Sequence, residues 1–141
     1  MKSWVFCWVV LVSTAQTATI AVADDQPAVS PLLGKWTWTR KENNCTEVYD
    51  FSADGSLHVV SGEEKTDNIF EVSSEPDQAG FYHLTITTLH DYRGRDCGDS
   101  DADDTGQTID AYVLFDPAKS AYINCRFPNL SACFGPLNRA P

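Results

Sequence analysis

The chain is short of positive charge. Ten Lys and Arg stand against 20 Asp and Glu, for a formal net charge of −10. Nucleic acid and anionic membrane surfaces are thereby excluded as partners, because both need clustered bases. No CxxC, HxH or HxxxH spacing occurs, so a zinc site has no ligand set. His58, His83 and His90 are scattered and read as surface or rim residues. There is no Gly-x-Ser-x-Gly elbow and no phosphate-cradling glycine loop, and the carboxylates fall in turns where water keeps them ordinary acids. The expectation is a protein that is not an enzyme and carries no cofactor or metal.

No apolar run approaches the roughly 20 residues that cross a bilayer as a helix. The longest, Trp4–Val12, follows Lys2 and precedes Ala21-Val22-Ala23, a small-x-small cleavage pattern. Residues 1–23 therefore read as an export signal, 24–31 as a linker containing Pro27 and Pro31, and 32–141 as one domain. An exported chain, periplasmic or secreted, monomeric and without a stable membrane anchor, is expected. Once Cys7 leaves with the signal, Cys45, Cys97, Cys125 and Cys133 remain, and an even number in a small exported domain suggests two disulfides. Three connectivities are open. The favoured one joins Cys125 to Cys133 across a short loop, and Cys45 to Cys97.

What is present is alternation. Trp36 and Trp38 share one face of Lys35–Arg40, and Tyr49 and Phe51 one face of Thr46–Phe51. Ala53-Asp54-Gly55-Ser56 is a hairpin turn leading into Leu57–Val60, and Ser61-Gly62-Glu63-Glu64 turns again. Asn68–Val72 aligns Phe70 with Val72, and Phe81–His90 aligns Tyr82, Leu84 and Ile86. Thr108–Phe115 aligns Ile109, Ala111, Val113 and Phe115. In Ser120–Arg126, Ala121 and Ile123 are expected inward. Phe127–Pro141 reads as a Pro-containing tail. Helical periodicity with caps is lacking, so the expected fold is all-β: a small antiparallel up-and-down barrel, with a two-sheet sandwich as the alternative.

Leu33-Gly34-Lys35-Trp36 resembles the Gly-x-Trp signature that opens the first strand of lipocalins and related small barrels. The chain is similar to small bacterial exported lipocalin-like domains. The resemblance implies that Trp36 closes the barrel base, covered by a basic residue from near the C-terminus, Arg139 or Arg126. It also points to a non-enzymatic binding domain for a small apolar or amphipathic ligand. Trp36, Trp38, Tyr49, Phe51, Phe70 and Tyr82 are the candidate lining residues.

Between Tyr92 and Gly106 lies a polar connection carrying Asp96, Asp99, Asp101, Asp103 and Asp104. Alternate aspartates suggest a calcium loop, but Asp104 stands where the sharp turn needs Gly, and the last ligand would be Asp110 rather than Glu. A solvated loop is the plainer reading. The alternative function is a protein-binding or inhibitor module in which this loop meets a basic exported partner such as a hydrolase. Asn44-Cys45-Thr46 and Asn129-Leu130-Ser131 match the glycosylation pattern.

Overall fold

The computed structural model describes residues 30–141, so the export segment and nearly all of the linker lie outside the described residues. Eight strands follow one another: β1 (Gly34–Thr39), β2 (Thr46–Phe51), β3 (Ser56–Ser61), β4 (Glu64–Val72), β5 (Tyr82–Asp91), β6 (Thr108–Phe115), β7 (Ala121–Cys125) and β8 (Cys133–Arg139). Each pairs antiparallel with the next, and β8 returns to β1 through Trp36 opposite Arg139 and Thr37 opposite Asn138. The result is a closed all-β barrel, in which every strand has a neighbour on both sides.

Aspartates build the turns. Asp54 Oδ1 accepts the Ser56 amide at 2.9 Å, and Gly55 takes the positive φ of +85° that this hairpin requires. Asp77 accepts the amides of Ala79 and Phe81, each at 2.9 Å. Asp116 accepts those of Ser120 and Ala121 at 2.7 and 2.9 Å. The Ala121 amide, and the Ser120 hydroxyl that donates to Oδ2 at 2.8 Å, hold the Asp116 carboxyl below its usual range. Several acids of this acidic chain are thus turn-makers.

Alternating side chains fill the interior. Trp36, Leu57, Leu84, Val113, Tyr122 and Leu137 are fully or almost fully buried, with Leu32 from the segment before β1. Trp36 meets Tyr122 edge-on at 4.9 Å, and Phe51 meets Phe70 at 4.9 Å. Such aromatic pairs add about 0.5–1.5 kcal/mol each beyond the area they bury.

Three expectations are corrected. The segment read as a tail contains β8, which closes the barrel. Its Gly135-Pro136 step, which looks like a strand breaker, is accommodated by a register shift opposite Ile123, so that Phe134 pairs with Asn124 and Leu137 with Tyr122. The inward face of β7 is Tyr122 and Asn124, not Ala121 and Ile123, because Tyr122 packs on the Trp36 ring. And β4 begins at Glu64 rather than Asn68, since the turn before it is only Gly62-Glu63, with Gly62 at φ +61°.

Candidate functional site

One end of the barrel is sealed. The Trp36 indole N–H donates to the Leu32 carbonyl at 2.7 Å. The Arg139 guanidinium lies 4.1 Å from the Trp36 ring centre and donates to the carbonyls of Leu33 (2.8 Å) and Pro31 (3.0 Å). Gly34 is required beneath it: at φ +106°, a Cβ there would stand 2.9 Å from Arg139 Nη1. Arg126, the other candidate cover, lies instead near Phe127.

The opposite end carries four connections, 40–45, 62–63, 92–107 and 126–132, and both disulfides, Cys45–Cys97 and Cys125–Cys133. The aspartate-rich connection is a strap across the rim. Its Arg95 carbonyl accepts the Glu63 amide, its Cys97 amide donates to Ser61 Oγ, and its Cys97 carbonyl accepts Arg40 Nη1 and Asn43 Nδ2. Asp91, at the end of β5, accepts the amides of Arg93 (2.7 Å) and Asp104 (2.9 Å) and so organises both ends of the strap. Arg93 pairs with Asp103 at 2.9 Å and Arg95 with Asp99 at 3.4 Å, while Asp96 Oδ1 accepts the Ser100 amide. Part of the charge of Asp96–Asp104 is therefore answered within the strap; Asp99, Asp101, Asp103 and Asp104 remain exposed. Among the described residues no three His, Cys, Asp or Glu side chains converge as metal ligands.

Beneath the strap, the register sets Trp38, Glu47, Ser61 and Glu64 in one row across β1 to β4. Glu47 accepts hydrogen bonds from the Tyr49 hydroxyl at 2.6 Å and from Ser61 Oγ at 3.3 Å. Burial first, and the Glu47 carboxylate second, hold the Tyr49 phenol well above its ordinary range. Desolvation, followed by the charges of Asp91, Asp96, Asp104 and Glu47, pushes Glu64 up to about 7. A carboxyl raised on folding costs nothing while protonated in both states. The cost grows as pH rises from the ordinary carboxylate range to about 7 and is complete above that. Glu64→Gln is accordingly expected to raise stability at about pH 8 and to leave it unchanged at about pH 4, as read by thermal unfolding. Because the Glu64 side chain still reaches solvent, screening limits the gain to about 1 kcal/mol. An equal effect at both pH values would remove the electrostatic explanation.

The six candidate lining residues divide. Trp36 and Phe51 belong to the buried floor, and Tyr82 and Phe70 pack against it through Phe115 and Phe51. Tyr49 turns to Glu47, and Trp38 packs at a tilt against Phe134, ring centres 4.8 Å apart, near the rim. An opening exists on the other side of the rim. Pairing of β6 with β7 stops at Tyr112 opposite Cys125, so Thr108–Ala111 runs on without a β7 neighbour. There a recess of about 200 Å³ is walled by Ile109, Ala111, Ala132 and Phe134, with Asn124 inside and Asp110 and Arg126 also lining it. Trp38 supports its wall through Phe134. Sequence reasoning aligned Ile109 and Ala111 but missed Asn124 and Phe134, because the first was placed on the outer face and the second in the tail.

These features define an eight-stranded antiparallel barrel with one end sealed and the other strapped but open on its β6–β8 side. Comparison with protein-family models, with characterised proteins and with solved structures finds no match for this chain.

Proposed function

We propose that the chain is an exported, non-enzymatic binding domain of the lipocalin-like kind, and that it takes a small apolar or amphipathic ligand at the open end of the barrel. The recess between β6 and β8 is the observation that carries this reading. Its walls are Ile109, Ala111, Ala132 and Phe134, and Ile109 remains 56% exposed, an apolar side chain without a cover. The sealed end supports it: Trp36 under Arg139 is the arrangement that the lipocalin-like resemblance implies. In this reading Trp36 and Phe51 are the floor, Tyr49, Phe70 and Tyr82 stiffen the walls, and Trp38 backs the site through Phe134. Export rests on the Lys2, Trp4–Val12 and Ala21-Val22-Ala23 pattern, and two disulfides suit an oxidising compartment.

The test uses a neutral fluorescent probe, N-phenyl-1-naphthylamine. Saturable, salt-insensitive enhancement is expected, since apolar capture is not screened. Ile109→Glu is expected to weaken it about tenfold or more without changing thermal stability, because the side chain is already exposed. Enhancement that is non-saturable, or indifferent to Ile109→Glu, would count against the recess as the site. No enhancement at all, together with salt-sensitive binding of a basic hydrolase, would favour the strap and a basic protein partner instead.

A further inference from the structure

Among the described residues, four polar or charged residues are buried: Ser61, Asn68, Asp91 and Asn124. Three have their side chains bonded within the chain. Ser61 accepts the Cys97 amide and donates to Glu47. Asn68 donates to the carbonyls of Leu57 and Thr66 and to the Thr66 hydroxyl. Asp91 accepts the amides of Arg93 and Asp104. The Asn124 carboxamide has no such partner among the described residues. Asn124 is only 8% exposed, yet it lines the recess, and its polar atoms are not among those sealed off without a bond. Those atoms therefore open onto the recess, where water or a bound molecule satisfies them. The backbone fixes where the carboxamide points, because Asn124 is held between Val113 of β6 and Phe134 of β8, on the inner face.

We infer that Asn124 is the polar anchor of the recess, and that its ligand is a small neutral molecule whose apolar body carries an adjacent hydrogen-bond donor and acceptor, as a lactam does. The inference rests on the proposed ligand-binding reading. A carboxamide offers an N–H donor and a carbonyl acceptor side by side, and a lactam N–H and C=O answer both at once. The apolar walls favour a neutral body over an ion, since a charge entering them would lose its hydration. The two charged residues of the lining do not alter this. Asp110 is occupied by His83 Nε2 at 2.8 Å and Thr85 Oγ1 at 2.9 Å, and Arg126 lies by the Phe127 ring. The volume of about 200 Å³ corresponds to roughly seven waters, so one ring fills the recess and any larger body projects from its open mouth.

The experiment is a nuclear magnetic resonance titration of the folded, disulfide-bonded chain with two saturated probes of one-ring size, ε-caprolactam and cyclohexane, neither of which carries an aromatic ring current. Both are expected to shift the Ile109 and Ala111 methyl signals. Only the lactam is expected to move the Asn124 side-chain NH₂ signal. Asn124→Leu, close in shape, should weaken the lactam about tenfold or more and leave cyclohexane within about twofold. Should that variant fail to fold, Asn124→Asp keeps the shape and loses the donor, and the same loss of lactam affinity is expected. Lactam affinity that survives in the folded variant, or an Asn124 signal that stays still, overturns the anchor while leaving the recess a binding site. If neither probe moves Ile109 or Ala111, the anchor and the proposed function fall together.

Discussion

Trp36→Ala is expected to cost about 3–5 kcal/mol, the largest loss for any single substitution in this barrel. The indole is fully buried, with Tyr122 edge-on at 4.9 Å and Phe115 at 5.9 Å. Its removal opens a cavity at the point where strand closure depends on Trp36 facing Arg139. It also leaves the Leu32 carbonyl without its donor and the guanidinium without the ring beneath it. Arg139→Ala removes the lid and keeps the floor. It loses a cation–π contact and two charge-assisted hydrogen bonds to Leu33 and Pro31, so about 2 kcal/mol is expected. The two losses share an interaction, so the double variant should fall short of their sum by about 0.5–1 kcal/mol. Guanidinium unfolding of the three variants checks this. A Trp36→Ala loss below about 1 kcal/mol would mean that the sealed end does not organise the barrel.

What could be read in advance follows from how local each determinant is. Asp54-Gly55 sets a hairpin through its own carboxylate and its own positive φ, so the turn is visible in four residues. The alternations that put Trp36 with Trp38 and Tyr49 with Phe51 inward are strong, because the intervening positions are polar or exposed. The pairing of Cys45 with Cys97 was favoured on chain position alone, and the strap makes it geometrically simple. In contrast, Ala-Tyr-Ile-Asn-Cys in β7 has apolar residues on both faces. Its frame is decided by a distant fact, the fit of Tyr122 against Trp36. That frame carries Asn124 inward, so one ambiguous strand hid the polar residue of the candidate site. Gly135-Pro136 concealed β8 for a similar reason: a bulge tolerates a step that a regular strand rejects. The choice between Arg139 and Arg126 as the cover of Trp36 likewise depended on β8 being a strand, which sets Arg139 directly opposite Trp36. The aspartate run looked like one charged surface because its partners, Arg93 and Arg95, precede it and fold back onto it.

Removing the Cys45–Cys97 bridge is expected to cost about 4 kcal/mol, against about 2.5 kcal/mol for Cys125–Cys133. The difference comes from the unfolded chain, where the first bridge closes 52 residues of separation and the second closes 8. Cys45→Ala/Cys97→Ala and Cys125→Ala/Cys133→Ala, unfolded in guanidinium, give the comparison while each keeps its other bridge. The two variants should also differ in where they loosen. Cys97 is buried, and its backbone is held by Ser61, Arg40 and Asn43. Without the bridge those three bonds and the Glu63 amide bonded to the Arg95 carbonyl retain the middle of the strap, whose backbone docks closely enough that a Cβ on Gly94 would stand 2.5 Å from the Glu63 carbonyl. Tryptic cleavage after Arg93 and Arg95 should therefore accelerate in the first variant and stay slow in the second, under conditions where both remain folded. Equal unfolding losses would show that chain entropy does not govern the bridges. Unchanged cleavage would show that the strap is held by its hydrogen bonds and the Asp91 carboxylate, with the disulfide acting on the unfolded state alone.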